Sequence, residues 1–409
     1  ATTGANNTAL GLSSLYSNTT GSLNTANGYQ SLYANTTGAE NVAIGDRAMA
    51  TNTTGGNNTS IGSFALRFNT TAANNTAVGY SALTANTTGT SNTGVGKDSL
   101  KANTTGVQNT ALGYEVLQAN IASHNNVGVG FSALYSNTSG ASNVATGHRA
   151  LYSNTTASNN VAYGYDALYA NTTGANNVAV GSLTLDAATT ANDNTAVGQG
   201  AMSTTTTGAS NTAVGLSALY SNTTASNNTA VGKSALFANT TGTQNVAVGA
   251  YALDANTTGG TGTAVGYEAL GSNTTASHNT AIGWRALFAN TTGDLNTAVG
   301  YGALDSNITG DRAVAIGVGA LNTQNVSGDT YNTAIGYEAG GSVTTGVLNT
   351  LIGGLAGDAL TDADNNVAIG YQALSGDTRG SRSIAIGRGA LQVQNFTSAT
   401  NTYNTAVGY

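Results

Sequence analysis

A period of seventeen residues constrains this chain more than any other feature. Anchored on the Gly that closes the motif N-T/V-A-V/I-G, the repeat falls at Gly11, Gly28, Gly45 and Gly62 and runs to Gly317 in steps of 17 residues, which gives 19 copies. Five more close at Gly336, Gly353, Gly370, Gly387 and Gly408, after steps of 19, 17, 17, 17 and 21, so the 409 residues hold 24 copies. With that Gly placed at slot 5, the consensus reads N-T-A-V-G-Y-S-A-L-Y-A-N-T-T-G-A-S. A unit this short buries too little apolar surface to fold alone, so the units must stack and share a continuous core. The expected fold is all-β, a parallel β-solenoid (β-roll) with a 17-residue coil and about 24 coils. At one strand spacing per coil it would be roughly 115 Å long.

The slots differ in what they accept. Slot 4 is Val, Ile or Leu in 21 of 24 copies, and slot 9 is Leu or Met in 21 of 23, the exceptions there being Gly340 and Gly357. These two slots are expected to form the core. Slot 3 is Ala, Gly or Ser in every copy except at Leu351, so something must approach it closely. A strand over slots 1–5 turns slots 2 and 4 to one side and slot 3 to the other. With slot 4 inward, slot 3 would line an axis shared between subunits; the alternative puts slot 3 inward against slot 9 in a very thin roll and leaves slot 4 in solvent. Slots 8–11 read as a second strand, against a competing reading of Ala-Leu as one helical turn. Slot 5 is a corner where φ > 0 or close backbone approach forbids a Cβ, at Gly11, Gly45, Gly79, Gly113, Gly215, Gly249, Gly283 and Gly317 among others. Asn at slot 1, present in 21 of 24 copies, would hydrogen-bond to itself from coil to coil. The N-T-T-G of slots 12–15 is turn chemistry.

Two regions follow from the spacing. Residues 1–317 form the regular array, and residues 318–409 continue the solenoid with insertions and a four-coil super-repeat. There, R-A-V-A-I-G-V-G-A-L-N-T-Q-N-V at 312–326 recurs as R-S-I-A-I-G-R-G-A-L-Q-V-Q-N-F at 382–396. Neither end carries an atypical capping repeat and no basic, apolar leader precedes the array. The segment is therefore expected to be a mature or excised part of a longer array, or to be covered at its ends by other copies.

Composition removes several classes of function. With no Cys and only His124, His148 and His278, in three different slots, a thiolate zinc site is impossible and a His-rich one is not expected. A net charge of −7 with no cationic cluster argues against nucleic acid. No apolar run is long enough to span a membrane. Catalysis would need acid, base or nucleophilic groups converging in a pocket, and the repeat is hardly interrupted to build one, so no enzyme activity and no cofactor are expected. Asp358, Asp362 and Asp364 form the densest acidic group, a weak calcium candidate against the reading of a solvated loop. N-x-S/T recurs at slot 12, at Asn18, Asn35, Asn52, Asn69, Asn86, Asn103, Asn137, Asn154, Asn171, Asn222, Asn239, Asn256, Asn273, Asn290 and Asn307. These would be glycan acceptors if a transferase met them, and turn residues otherwise. Aromatics recur at slot 6 (Tyr29, Tyr114, Trp284) and slot 10 (Tyr33, Tyr152, Phe237), where stacked rings could grip sugars or a neighbouring fibre, or cover the rim of the core.

N-V-A-I-G at 41–45 and 366–370, varied in nearly every other copy, resembles the head repeat of trimeric autotransporter adhesins, the YadA-like left-handed parallel β-roll. It is also similar to repeat regions of bacterial and phage tail-fibre-like proteins. The resemblance implies a homotrimer on a cell or virion surface, used for attachment. The expected function is an extracellular structural and adhesive fibre, the shaft or head of a surface filament, with the chain itself as principal partner and surface glycans or matrix as ligands. The alternatives are a phage tail-fibre shaft, an ice-binding or glycan-binding β-solenoid and, last, a polysaccharide-cleaving β-helix.

Overall fold

The short repeat allows each coil only one short extended segment before the chain must turn. In the structure, a computed structural model that describes residues 3–409, slots 2–4 of every copy form a three-residue strand, as at Thr25–Asn27, Val42–Ile44 and Thr280–Ile282. Two compact units, Ala1–Thr207 and Gly208–Tyr409, each contain twelve of these strands. Within each unit, successive strands pair in parallel and slot for slot: Thr25 lies against Val42, Ala26 against Ala43 and Asn27 against Ile44. No helix occurs among the described residues, and the fold is a parallel β-solenoid of about 24 turns.

Slot 5 ends the strand. Its glycines have φ between 122 and 142°, and a Cβ on Gly215 would lie 2.5 Å from the carbonyl oxygen of Gly232 in the next coil. Both conditions exclude an L side chain.

The core lies on the other side of the strand from the expected one. Slot 3 is buried, as at Ala43, Ala111 and Ala247, together with Ala at slot 8 and Leu at slot 9. Slot 4 faces outward: Val248 is 37% exposed and Ile282 40%. The reason is volume. A coil of 17 residues encloses room for one Leu-sized side chain, and slot 9 fills it, so the facing strand residue must be small. Slot 3 is crowded by its own coil, not by another subunit.

The expected second strand is also absent. Slots 6–11 form a run of turns in which slots 7 and 9 are left-handed, for example Gln30 (φ 53°) and Leu32 (φ 48°). This segment is nevertheless bonded to its neighbours: the Leu32 amide donates to the Ala48 carbonyl (3.1 Å) and the Ala34 amide to that of Ala50 (3.0 Å). The insertions in the last third are absorbed beside slot 15, where Gly310–Asp311 pairs with Gly328–Asp329 and Gly380–Ser381 with Thr400–Asn401.

Two buried amide ladders complete the interior. At slot 1, the Asn41 amide donates to Oδ1 of Asn24 (3.0 Å), and its Nδ2 donates to the Gly55 carbonyl (2.9 Å). At slot 12, Nδ2 of Asn52 donates to Oδ1 of Asn35 (2.8 Å) and to the same Gly55 carbonyl (2.9 Å). One slot-15 carbonyl thus uses both lone pairs to join the two ladders. The slot-13 hydroxyls add a third set of bonds between coils, Thr36 Oγ1 donating to the Thr53 carbonyl at 3.0 Å.

Candidate interaction surface

With slots 1, 3, 8, 9, 12 and 15 turned inward, chemistry is displayed in rows along the outside of each stack. The strand shows two: mostly Thr or Val at slot 2, largely half-buried by its neighbours, and mostly Val, Ile or Leu at slot 4, exposed or half-exposed. Beyond the slot-5 corner comes the slot-6 row, where rings on adjacent coils stack because the coil spacing is close to ring-stacking distance. Tyr114, Phe131, His148 and Tyr165 form one continuous pile with centroids 5.3, 5.2 and 5.1 Å apart. Trp284 and Tyr301 stack at 4.7 Å. Slot 10 carries a parallel row, with Tyr135, Tyr152 and Tyr169 stacked at 5.1 and 5.4 Å.

Charged side chains lie over these rings. The Arg149 guanidinium pairs with Asp166 (2.5 Å) and sits 4.8 Å from the centre of the Tyr169 ring. Arg285 sits 4.0 Å from the centre of Phe288 and pairs with Asp305 at 3.3 Å. The four aspartates at slot 10, Asp186, Asp254, Asp305 and Asp358, have their carboxyl pKa raised above the ordinary value, in each case chiefly by burial against the turn segment.

The sequence-derived candidates are placed as follows. Of the fifteen N-x-S/T asparagines, Asn18 in the first coil is half-buried and the other fourteen are buried in the slot-12 ladder, their amide protons donated within the protein. Asp358, Asp362 and Asp364 do not converge. Asp362 pairs with Arg379 (2.9 Å), Oδ1 of Asp364 accepts the Val347 amide (2.8 Å), and Asp358 faces a separate cavity. No group of three metal-ligating side chains occurs among the described residues. His148 belongs to the ring pile, Nδ1 of His124 accepts the Val107 amide (3.0 Å), and His278 stands apart at slot 17 with φ 61°.

Sequence reasoning missed the slot-12 ladder, because N-T-T-G is ordinary turn vocabulary. It offered the outward slot-4 row only as the alternative, although one signal favoured it. Leu351, the only large residue at slot 3, occurs with Gly340 and Gly357, the only glycines at slot 9. A Cβ on those glycines would meet the Leu351 methyls at 2.6 and 2.8 Å. A large residue on one side and two glycines on the other mark slots 3 and 9 as facing partners.

The fold and its rows define a β-solenoid repeat protein. No protein-family model matches the chain, and no curated protein matches it in sequence.

Proposed function

We propose that this chain is a structural and adhesive element of an extracellular or cell-surface fibre, without catalytic activity, and that copies of it associate through the strand face. The observation that carries this reading is the slot-4 row. In the unit Gly208–Tyr409 all twelve side chains of the row are Val or Ile, each exposed or half-exposed, and they form one continuous apolar stripe of the kind that marks an interaction surface; in the other unit Asn27 and Thr146 interrupt it. Every copy carries the row at the same spacing, so two or three copies match along their length without any special register. The resemblance to trimeric adhesin heads favours three. Association then leaves the slot-6 and slot-10 rows for surface glycans or matrix.

The test is mass in solution together with electron micrographs of the full chain. Val248→Lys and Ile282→Lys together should reduce the assembly to monomers while changing stability by less than about 1 kcal/mol, since both side chains point outward. Ala247→Arg should instead unfold its own coil, because an unpaired guanidinium would enter a core with room for a methyl group. A wild-type chain that is monomeric at all concentrations would overturn the reading. A second reading, an ice-binding face, draws on the outward slot-2 row, where Thr59, Thr76, Thr93 and Thr110 stand on consecutive coils. Thermal hysteresis of the folded chain would support it.

A further inference from the structure

On the outer surface, a change in the repeat itself builds a cavity at Gly341. Slot 7 of one coil lies beside slot 10 of the next: Arg285 reaches Asp305 across this gap (3.3 Å), and Gln392 Nε2 donates to Gln372 Oε1 across it (3.2 Å). At Glu338 and Asp358 the same relation brings two carboxylates together. The intervening slot 10 is Gly341, which has no side chain to fill the space. The result is a cavity of about 390 Å³ lined by Glu338, Asp358, Asn322, Ser342, Tyr301 and Val318 among others, with no cationic side chain in its wall.

The geometry leaves one carboxylate oxygen of this arrangement without a partner. Oδ1 of Asp358 is buried without a hydrogen-bond partner. The Asp358 carboxyl pKa is pushed up by burial first and also by the charge of Glu338. At the homologous position in the coil of Arg285, a guanidinium supplies both the charge and the hydrogen bonds.

We propose that the Glu338–Asp358 cavity binds an organic monocation, a guanidinium or ammonium group on a short aliphatic stem such as an arginine or lysine side chain carries. The head would take the place that Arg285 fills in its own coil, donating to both carboxylates. The stem would lie along Val318 and the Tyr301 ring, which favours a cation near its face. A neutral sugar could satisfy the lone pairs but would leave the two like charges uncompensated. In a related gap at Gly271, lined by Tyr251, Asp254, Tyr267, Glu268 and Phe288, neither carboxylate has a buried oxygen without a partner. The Glu338 site therefore stands as the unfilled one. This inference names a ligand class for the displayed surface and does not depend on fibre assembly, so either could fail alone.

The full chain would be titrated calorimetrically with n-butylguanidinium, with n-butylammonium, calcium ion and methyl glucoside as further arms. One equivalent of n-butylguanidinium should bind, and Glu338→Gln with Asp358→Asn should weaken it by roughly tenfold or more. Glu338→Arg should abolish binding and raise the melting temperature, because the new side chain would pair with Asp358 as Arg285 pairs with Asp305. A short arginine peptide binding more tightly than n-butylguanidinium would assign the source to a protein partner, and equal affinity to a free small cation. Binding unchanged in Glu338→Arg, no binding by the wild type, or preference for calcium or the sugar would each overturn the proposal. The melting temperature of each variant separates loss of the site from loss of the fold.

Discussion

Asparagine has two roles in this chain that look alike in sequence and differ in burial. At slots 1 and 12 it is an interior residue, tolerated because each amide is bonded to the amide of the adjacent coil and to a slot-15 carbonyl. Buried polar groups without partners cost about 1–3 kcal/mol each, so a ladder is stable only while it continues. The slot-12 ladder stops where the sequence changes: Ala188 follows Asn171 and Gln324 follows Asn307, and at both ends Oδ1 of the last Asn is buried without a partner. Ala188→Asn should therefore stabilise the protein, by about 1 kcal/mol. Its Nδ2 would donate to Asn171 Oδ1 and to the Ala191 carbonyl, as Asn69 already does with Asn52 and Ala72. Chemical denaturation would show the gain; a loss would mean that slot 12 of that coil has no room for the amide.

The element that decides the core is the coil, and its two sides compensate each other. Leu351 enters the space that Leu fills at slot 9 elsewhere, and Gly340 and Gly357 yield it. Leu351→Ala should cost about 2–5 kcal/mol by opening a cavity. Gly340→Leu alone should be destabilising by overpacking against Leu351. Combined, the two changes put a small slot 3 beside a Leu at slot 9 of the preceding coil, and should cost clearly less than their sum. A double-mutant cycle of unfolding free energies checks this, and additivity would refute the facing of slots 3 and 9. The turn segment is held in the same way. Leu at slot 9 takes φ near 50°, a conformation costly for a bulky residue, and keeps it because bonds to both neighbouring coils allow no other path.

At the scale of the whole molecule, the acidic balance of −7 meets a surface on which carboxylates at slot 10 are half-buried. The pKa of Asp186, Asp254, Asp305 and Asp358 is raised on folding, so the folded state holds more protons than the unfolded one just above the ordinary carboxylate pKa of about 4. Stability contributed by these groups is present at low pH and is lost as pH rises through their folded pKa values. The denaturation midpoint should thus rise as the solution is acidified from neutrality toward that range. Replacing the four residues by Asn should flatten the rise; an unchanged slope would place the proton uptake elsewhere.

Period, coil count, parallel stacking, the glycine corner and the slot-1 ladder were all legible in the chain, because each is a demand that repeats 20 or more times against a background of variation. Alternation placed slots 2 and 4 opposite slot 3, but alternation alone cannot say which side of a three-residue strand is inside. That choice depends on the width of the closed coil, and the width is set by the slot 6–11 segment, whose left-handed residues no local preference announces. Once that segment folds tightly enough to admit a single leucine, Ala43 must face it and Ile44 must face outward. The same closure buries Asn35 and Asn52, which as isolated N-T-T turns would be solvated. The cavity at Glu338 likewise depends on neighbours 20 residues apart in sequence and one coil apart in space, a relation that exists only after stacking.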